Sequence, residues 1–240
     1  MDIYKVNSFK EMVSGNRYPG RGIIVGKSED GKKAAVAYFI MGRSANSRNR
    51  IFTERNGEVY TEPFDASKVE DPSLIIYSAI KKYENHLIAT NGDQTDTIYD
   101  GFSNGLSFDE SLATRCFEPD EPNFTPRISA CLDFDDKSDF SYKISILKSA
   151  NAEGDACNRY YYEYEPIAGI GHFIHTYECD GNPLPTFQGE PRRVYIPNSA
   201  DDFANEIWDS LDDENKISLY VRYIDLASGE QENILINKNK

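Results

Sequence analysis

Three guanidinium groups fall within eight positions in Gly42-Arg43-Ser44-Ala45-Asn46-Ser47-Arg48-Asn49-Arg50-Ile51-Phe52, and Arg55 follows closely. The chain as a whole carries a formal net charge of -14, so its overall field repels anions and an anionic ligand must be held by a local cationic nest. Arginine suits that task, because its rigid fork of donors meets phosphate or carboxylate oxygens two at a time and stays charged at any working pH. Ser44, Asn46, Ser47 and Asn49 favour turns with side-chain to backbone hydrogen bonds over a helix interior. The pattern predicts an apolar strand running into an arginine-rich loop. The plainer alternative is a solvated basic turn that offsets nearby acids.

Two further stretches carry chemistry. Asn91-Gly92-Asp93-Gln94-Thr95-Asp96-Thr97-Ile98 follows an apolar run, and a strand-to-helix turn of this composition presents the backbone N–H groups and hydroxyls that hold phosphates and ribose hydroxyls. It is neither a Walker loop nor a G-x-G-x-x-G fingerprint, and an ordinary helix cap at Asp93 or Thr95 explains it equally. Phe117-Glu118-Pro119-Asp120-Glu121-Pro122-Asn123 gathers three carboxylates beside two prolines, just before Thr125-Pro126-Arg127. Acid clusters are usually solvated, yet between two arginine-bearing segments one member could move a proton.

The elements that must position these groups read mostly as sheet. Arg21-Gly22-Ile23-Ile24-Val25-Gly26 and residues 33–41 form a predicted hairpin about Ser28-Glu29-Asp30-Gly31. A short strand at 59–62 follows, then a Pro- and acid-rich connection over 63–72 and a second hairpin joining 74–80 to 86–90 through Glu84-Asn85. Ser107-Phe108-Asp109-Glu110 is a capping box for a helix through about Arg115. Strands are predicted at 125–132, 142–147, 167–176 and 194–196, with Tyr160, Tyr162 and Tyr164 on one face of another. A helix capped at Asn198 or Ser199 runs through Trp208 and Leu211, and strands at 217–225 and 233–237 close the chain around Ala227-Ser228-Gly229. No repeat or long linker divides the 240 residues.

Composition narrows the function classes. The 40 acids against 26 bases argue against broad binding to nucleic acid or to an anionic membrane surface, and no apolar run reaches the roughly 18 to 20 residues that span a bilayer. Met1-Asp2-Ile3-Tyr4-Lys5 lacks a basic segment followed by an apolar one, so a cytoplasmic protein is expected. Cys116, Cys131, Cys157 and Cys179 lie far apart without a C-x-x-C pair, which suits reduced thiols and no zinc site. His172 and His175 should face opposite sides of a strand, so no metal pair is expected.

Taken in order, several of these pieces form a familiar set: Arg21-Gly22-Ile23-Ile24-Val25-Gly26, Arg43-Ser44 with Asn49-Arg50, Tyr77, Asn91-Gly92 with Thr95-Asp96-Thr97-Ile98, Phe117-Glu118 through Asp120-Glu121, and Thr125-Pro126-Arg127. Together they resemble the archaeal-type inosine monophosphate (IMP) cyclohydrolase family, whose IMP cyclohydrolase-like relatives also occur in bacteria. The resemblance covers about residues 20–135, with Thr176-Tyr177-Glu178 matching more loosely. It implies an α+β fold, a four-layer α-β-β-α sandwich of the N-terminal nucleophile hydrolase type, spread over residues 1–240 as one domain. The start Met1-Asp2 offers no Ser, Thr or Cys, so terminal-nucleophile chemistry is not expected. The implied reaction closes 5-formamidoimidazole-4-carboxamide ribotide (FAICAR) to IMP with loss of water, the last step of de novo purine synthesis, with no cofactor and no metal.

By the same resemblance Arg50, Tyr77 and Glu118 are the catalytic candidates. Arg50 would orient and stabilise carbonyl oxygens, Tyr77 would exchange a proton or donate a hydrogen bond, and Glu118 would assist proton transfer at the carboxamide. Arg43, Asn49, Asn91, Asp93, Thr95, Asp96, Thr97 and Arg127 are the candidates for contacts to ribose, phosphate or base. Phe124 stands as an insertion before Thr125, which leaves the alignment of Glu118 open by one residue. The partner implied is a small nucleotide, and a homo-oligomer is compatible with the resemblance. Two other readings remain at this point: a purine-nucleotide-binding module without turnover, and another amidohydrolase on the same fold.

Overall fold

Apolar side chains that alternate between two faces build most of this chain into a pair of antiparallel sheets. The computed structural model describes residues 4–69, 76–134 and 139–239. One sheet contains β1 (Gly22–Lys27), β2 (Lys33–Met41), β10 (Ile170–His175), β11 (Arg192–Tyr195), β12 (Lys216–Asp225) and β13 (Gln231–Asn237), in the order β11-β10-β1-β2-β12-β13. The other runs β3-β4-β5-β6-β7-β8-β9, built from β3 (Arg50–Arg55), β4 (Glu58–Pro63), β5 (Tyr77–Tyr83), β6 (His86–Thr90), β7 (Arg127–Asp133), β8 (Ser141–Ser149) and β9 (Cys157–Tyr164).

The alternation along β2 shows how the layers are specified. Ala34, Val36, Tyr38 and Ile40 join the core between the sheets, with Ile23 and Val25 of β1 and with Phe52, Val59, Tyr77, Ile128 and Ile144 of the other sheet. The intervening Ala35, Ala37, Phe39 and Met41 face the other way. There they meet α1 (Phe9–Val13) and α5 (Ala200–Ser210), which contribute Phe9, Val13, Phe203, Ala204 and Ile207. Each such buried aliphatic side chain stabilises the fold by about 2 kcal/mol relative to exposure. On the outer face of the seven-stranded sheet, α3 (Gln94–Ser103) and α4 (Phe108–Leu112) pack Ile98, Phe108 and Leu112 against Ile88 and Cys131.

The predicted hairpins form. Strand β1 pairs with β2, β5 with β6, and β12 with β13. Helix α5 starts from Ser199, whose hydroxyl accepts from the Asp202 N–H at 3.1 Å, while Asp201 and Asp202 sit in its first turn where the helix dipole favours them. Several strand ends shift by a few residues from expectation, and three differences bear on the elements around the arginine loop and Glu118. The capping box at Ser107 forms, but its helix ends at Leu112 and not near Arg115, because the Ala113 and Arg115 N–H groups donate three residues back, to Glu110 and Leu112, and tighten the chain into a turn. The strand expected over 74–80 begins at Tyr77; residues 74 and 75, like 70–72 of the connection before them, lie outside the described residues. The arginine loop contains a single helical turn, α2 (Ala45–Arg48). Ser44 and Ser47 cap each other across it, so the side-chain to backbone bonds expected of a loop hold a turn of helix instead.

Candidate active site

Chain reversals at one end of the two sheets bring the functional groups together. Arg21 stands just before β1, Arg43 and Arg50 flank α2 between β2 and β3, Tyr77 opens β5, Gly92 follows β6, and Arg127 opens β7. The segment from Phe117 to Thr125 closes over this end, with the Glu118 N–H donating to the Thr125 carbonyl at 2.9 Å. A cleft of about 250 Å³ results, with Tyr18, Arg21, Arg43, Arg50, Thr125 and Tyr177 in its walls. A larger hollow of 320 Å³ lies on the outer face of the seven-stranded sheet beside Tyr83, His86 and Phe102. The smaller cleft is the better candidate because Arg21 and Arg50 line it and the buried Glu118, which interacts with Arg21, Arg127 and Arg50, adjoins it.

Glu118 is 3% exposed and Arg50 2%. Arg21 Nη2 lies 3.8 Å from Glu118 Oε2, an attraction of about 4 kcal/mol at an effective dielectric constant of ~20. Desolvating a carboxylate costs several kcal/mol, and here burial prevails. It lifts the Glu118 carboxyl above its ordinary range against the pull of Arg21, Arg127 and Arg50. Burial likewise lowers the Arg50 guanidinium, with Arg21 adding to the effect, although an arginine remains cationic at working pH. Burial alone would depress Arg21 as well, but Glu118 and the tyrosines Tyr77, Tyr177 and Tyr38 outweigh it and raise the group.

Arg50 is fixed by its own backbone surroundings. Its Nε donates to the Ser47 carbonyl at 2.7 Å and its Nη2 to the Met41 carbonyl at 3.2 Å, so the capped turn α2 and the end of β2 aim the guanidinium. The Tyr77 hydroxyl lies 2.7 Å from that of Tyr38, in buried surroundings. Arg127 Nη1 donates to Asp93 Oδ1 at 2.6 Å and to Gln94 Oε1 at 2.8 Å. The Nε atoms of Arg21 and Arg127 are buried without a protein partner. Such donors are costly to leave unmade and point to a ligand oxygen. Gly92 makes the arrangement possible: a Cβ there would stand 2.7 Å from Arg127 Nη1 and 3.6 Å from Glu118 Oε1.

The other sequence candidates divide. Arg43 lines the cleft mouth, bonded through Nη1 to Asp180 Oδ1 at 2.5 Å and lying over the Tyr18 ring at 5.0 Å. Arg48, the third guanidinium of the nest, turns away to the Gly42 carbonyl and Asn215. Asn49 spends both ends of its amide on the backbone of Asp65. Asn91 is similarly committed, to the Pro126 carbonyl and the Ile128 N–H, and so shapes the turn beneath Arg127. Thr95 meets the Thr90 hydroxyl at 2.6 Å. Asp93 occupies the N-cap position of α3 without a capping bond, its carboxylate taken by Arg127 and Arg115. Asp96 pairs with Lys81 on the exposed side of α3, and Thr97 is half-buried on the same helix. In place of a solvated acid cluster, Glu118 is buried and Asp120 accepts from the Thr125 N–H at 2.6 Å. Phe124 is absorbed in the turn between them, with φ +43° and its ring against Phe117.

Four groups of the site were missing from the sequence candidates: Arg21, Tyr38, Tyr177 and Tyr18. Arg21 carried a signal, a lone cation at the mouth of an otherwise apolar strand. So did Tyr38, which shares the inward parity of Val36 and Ile40. Tyr177 reaches the site from the far half of the chain, its hydroxyl bonded to Thr125 and its ring stacked on Tyr18 at 5.9 Å. Among the described residues no cluster of His, Cys, Asp or Glu could hold a metal ion.

A model of the family described as "IMP cyclohydrolase-like protein" matches residues 18–230, a span that includes every group above. This chain belongs to that family. The "IMP cyclohydrolase" of Methanopyrus kandleri is 36% identical over 120 residues, covering 48% of this chain and 59% of that protein. The one from Methanococcus aeolicus is 30% identical over 166 residues, covering 68% of this chain and 75% of its own. For Methanococcus maripaludis strain C7 the figures are 30% over 187 residues, 70% and 92%. The family match extends the likeness well past residue 135, into the half that supplies Tyr177. No helix among the described residues is long and apolar enough to cross a membrane.

Proposed function

We infer that this protein is an IMP cyclohydrolase, closing the pyrimidine ring of FAICAR to give IMP and water as the last step of de novo purine synthesis. The observation that carries the reading is the set of neighbouring groups Arg21, Arg50, Glu118 and Tyr77, the two arginines lining one cleft and the other two interacting with them, inside the family-matched span. In the reaction the carboxamide nitrogen bonds to the formyl carbon while losing one proton, and the formyl oxygen gains one, giving a carbinolamine. That hydroxyl then leaves as water with the proton of the formamido nitrogen, so the atoms balance.

The site residues fit these steps. Glu118, whose carboxyl is raised towards the operating range, takes the proton of the carboxamide. Arg50 and Arg21 face the oxyanion that grows on the formyl oxygen, and Tyr77 supplies its proton. Arg43 and Arg127 hold the anionic end of the nucleotide. Holding both reacting ends in one conformer supplies much of the remaining acceleration. The two facing sheets with helices on their outer faces correspond, on this reading, to the four-layer α-β-β-α sandwich of the N-terminal nucleophile hydrolase type, forming one domain. A cytoplasmic location follows from the pathway. Incubation with FAICAR, followed by ultraviolet absorbance and chromatography of the product, tests the proposal, and FAICAR left at its uncatalysed rate over several pH values rejects it.

A further inference from the structure

A tyrosine hydroxyl in the core between two sheets needs a hydrogen-bond partner, because burying it without one costs a few kcal/mol. Tyr38 sits on β2 between Val36 and Ile40, fully buried, with its ring stacked on Phe52 at 5.4 Å and 29°. Its hydroxyl reaches Tyr77 at 2.7 Å, and among the described residues it has no other partner. An aliphatic side chain or phenylalanine would fill this inward position of the strand as well. The hydroxyl is therefore what needs explaining.

We propose that Tyr38 is a positioning residue, whose hydroxyl donates to the Tyr77 oxygen and so turns the Tyr77 proton into the cleft. The orientation follows from where each oxygen sits. Either hydroxyl could donate across the 2.7 Å contact; Tyr38 is fully buried whereas Tyr77 is 5% exposed, so only Tyr77 can turn its proton to a partner outside the core, and the proposed direction takes Tyr38 as the donor. With one lone pair of Tyr77 thus occupied from the β2 side, its own O–H is free to turn away from Tyr38; Arg21 and Arg50 are its charged neighbours. Arginines offer donors and no acceptor, so the Tyr77 oxygen can accept from them while its proton finds no protein acceptor on that side. The proton therefore awaits a substrate oxygen. When Tyr77 gives that proton to the formyl oxygen, the charge left on the phenol is held by the Tyr38 hydroxyl and by the two guanidiniums, from β2, from the segment before β1 and from the start of β3. This assignment rests on the cyclohydrolase reading and adds to it a direction, in which Tyr77 is the acid and Glu118 the base.

A double-mutant cycle tests it. Tyr38→Phe, Tyr77→Phe and the double variant are assayed for kcat and KM on FAICAR, and for IMP affinity by calorimetry. Tyr38→Phe should lower kcat on the order of tenfold or more, the loss expected when a charged state forfeits one hydrogen bond. KM and IMP affinity should hardly move. In the Tyr77→Phe background the same change should add almost nothing, because a residue that acts only through the Tyr77 hydroxyl has nothing left to orient. Unchanged kcat in Tyr38→Phe, independent losses in the double variant, or a loss confined to KM each overturns the role of Tyr38. If Tyr38→Phe does not fold, isotope-labelled tyrosine in the wild-type protein decides: IMP should shift the Tyr77 and Tyr38 ring resonances together, and a Tyr77 shift with Tyr38 stationary refutes the link. Wild-type protein inert towards FAICAR is a separate result, which rejects the cyclohydrolase reading itself and this inference with it.

Discussion

Replacing Arg50 by lysine keeps the charge and removes the fork, which makes it the sharpest single test of how the cleft works. A guanidinium has five N–H donors. Two are spent on the Ser47 and Met41 carbonyls, at 2.7 and 3.2 Å, and three remain for the cleft. A lysine ammonium has three donors in all on a freely turning stem, so it either keeps the backbone anchors or faces the substrate. Hydrogen bonds from a charged group are worth about 1.5–3 kcal/mol each. Forfeiting one aimed at the developing oxyanion should lower kcat/KM by roughly 13- to 160-fold. Loss of one backbone anchor should independently lower stability by about 2 kcal/mol. The first quantity is read from FAICAR conversion at several substrate concentrations, the second from urea unfolding. A variant with near-normal turnover and a reduced urea midpoint would show that Arg50 only braces the turn, and the role given to the arginine nest would fall.

Three other expectations follow from particular contacts. Burial, with Arg193 nearby, pushes His172 down to about 4 from 6.5, and burial does the same for His175. Both stay neutral in the fold while the unfolded chain takes up protons below about pH 6.5, so stability is full above that value and declines as pH falls towards 4, by about 2 kcal/mol per histidine at pH 5; equal denaturant midpoints at pH 7 and pH 5 would contradict this. Gly92→Ala places a methyl group 2.7 Å from Arg127 Nη1 and Gln94 Oε1, which should displace Arg127 and lower kcat/KM on the order of tenfold, and unaltered kinetics would remove Arg127 from the site. Burial and then the adjoining Cys116 push the Cys157 thiol up to about 11, while Cys179 is exposed and Cys131 buried; iodoacetamide at neutral pH should therefore label Cys179 well before Cys157 and leave Cys131 untouched, as peptide mass spectrometry would report.

Strand periodicity made much of the scaffold legible. The run from Ala34 to Met41 alternates between two apolar faces, and both are buried, which is the signature of a strand covered on each side. Ser107 and Ser199 announced their helices through local capping chemistry that needs no tertiary context. The site was less legible, because sequence cannot say which polar groups are consumed by the scaffold. Asn49, Asn91 and Thr95 have the chemistry of ligand contacts, yet each is committed to neighbouring backbone or side chains. Arg43, Arg48 and Arg50 look alike in sequence; only the capped turn between them sends Arg50 inward and Arg48 outward to Asn215. Tyr38 falls within a predicted apolar strand and Tyr177 within a loosely matching family segment, but nothing local to them reveals a partner 39 or 52 positions away.

The central claim is that a buried carboxylate and its arginines close the FAICAR ring. Its most direct test follows ultraviolet absorbance after mixing FAICAR with the wild-type protein and with Glu118→Gln. Rapid formation of IMP by the wild type, slowed by about two orders of magnitude or more in the variant with IMP affinity retained, is the predicted result. A flat wild-type trace, or a variant as fast as the wild type, would contradict the account.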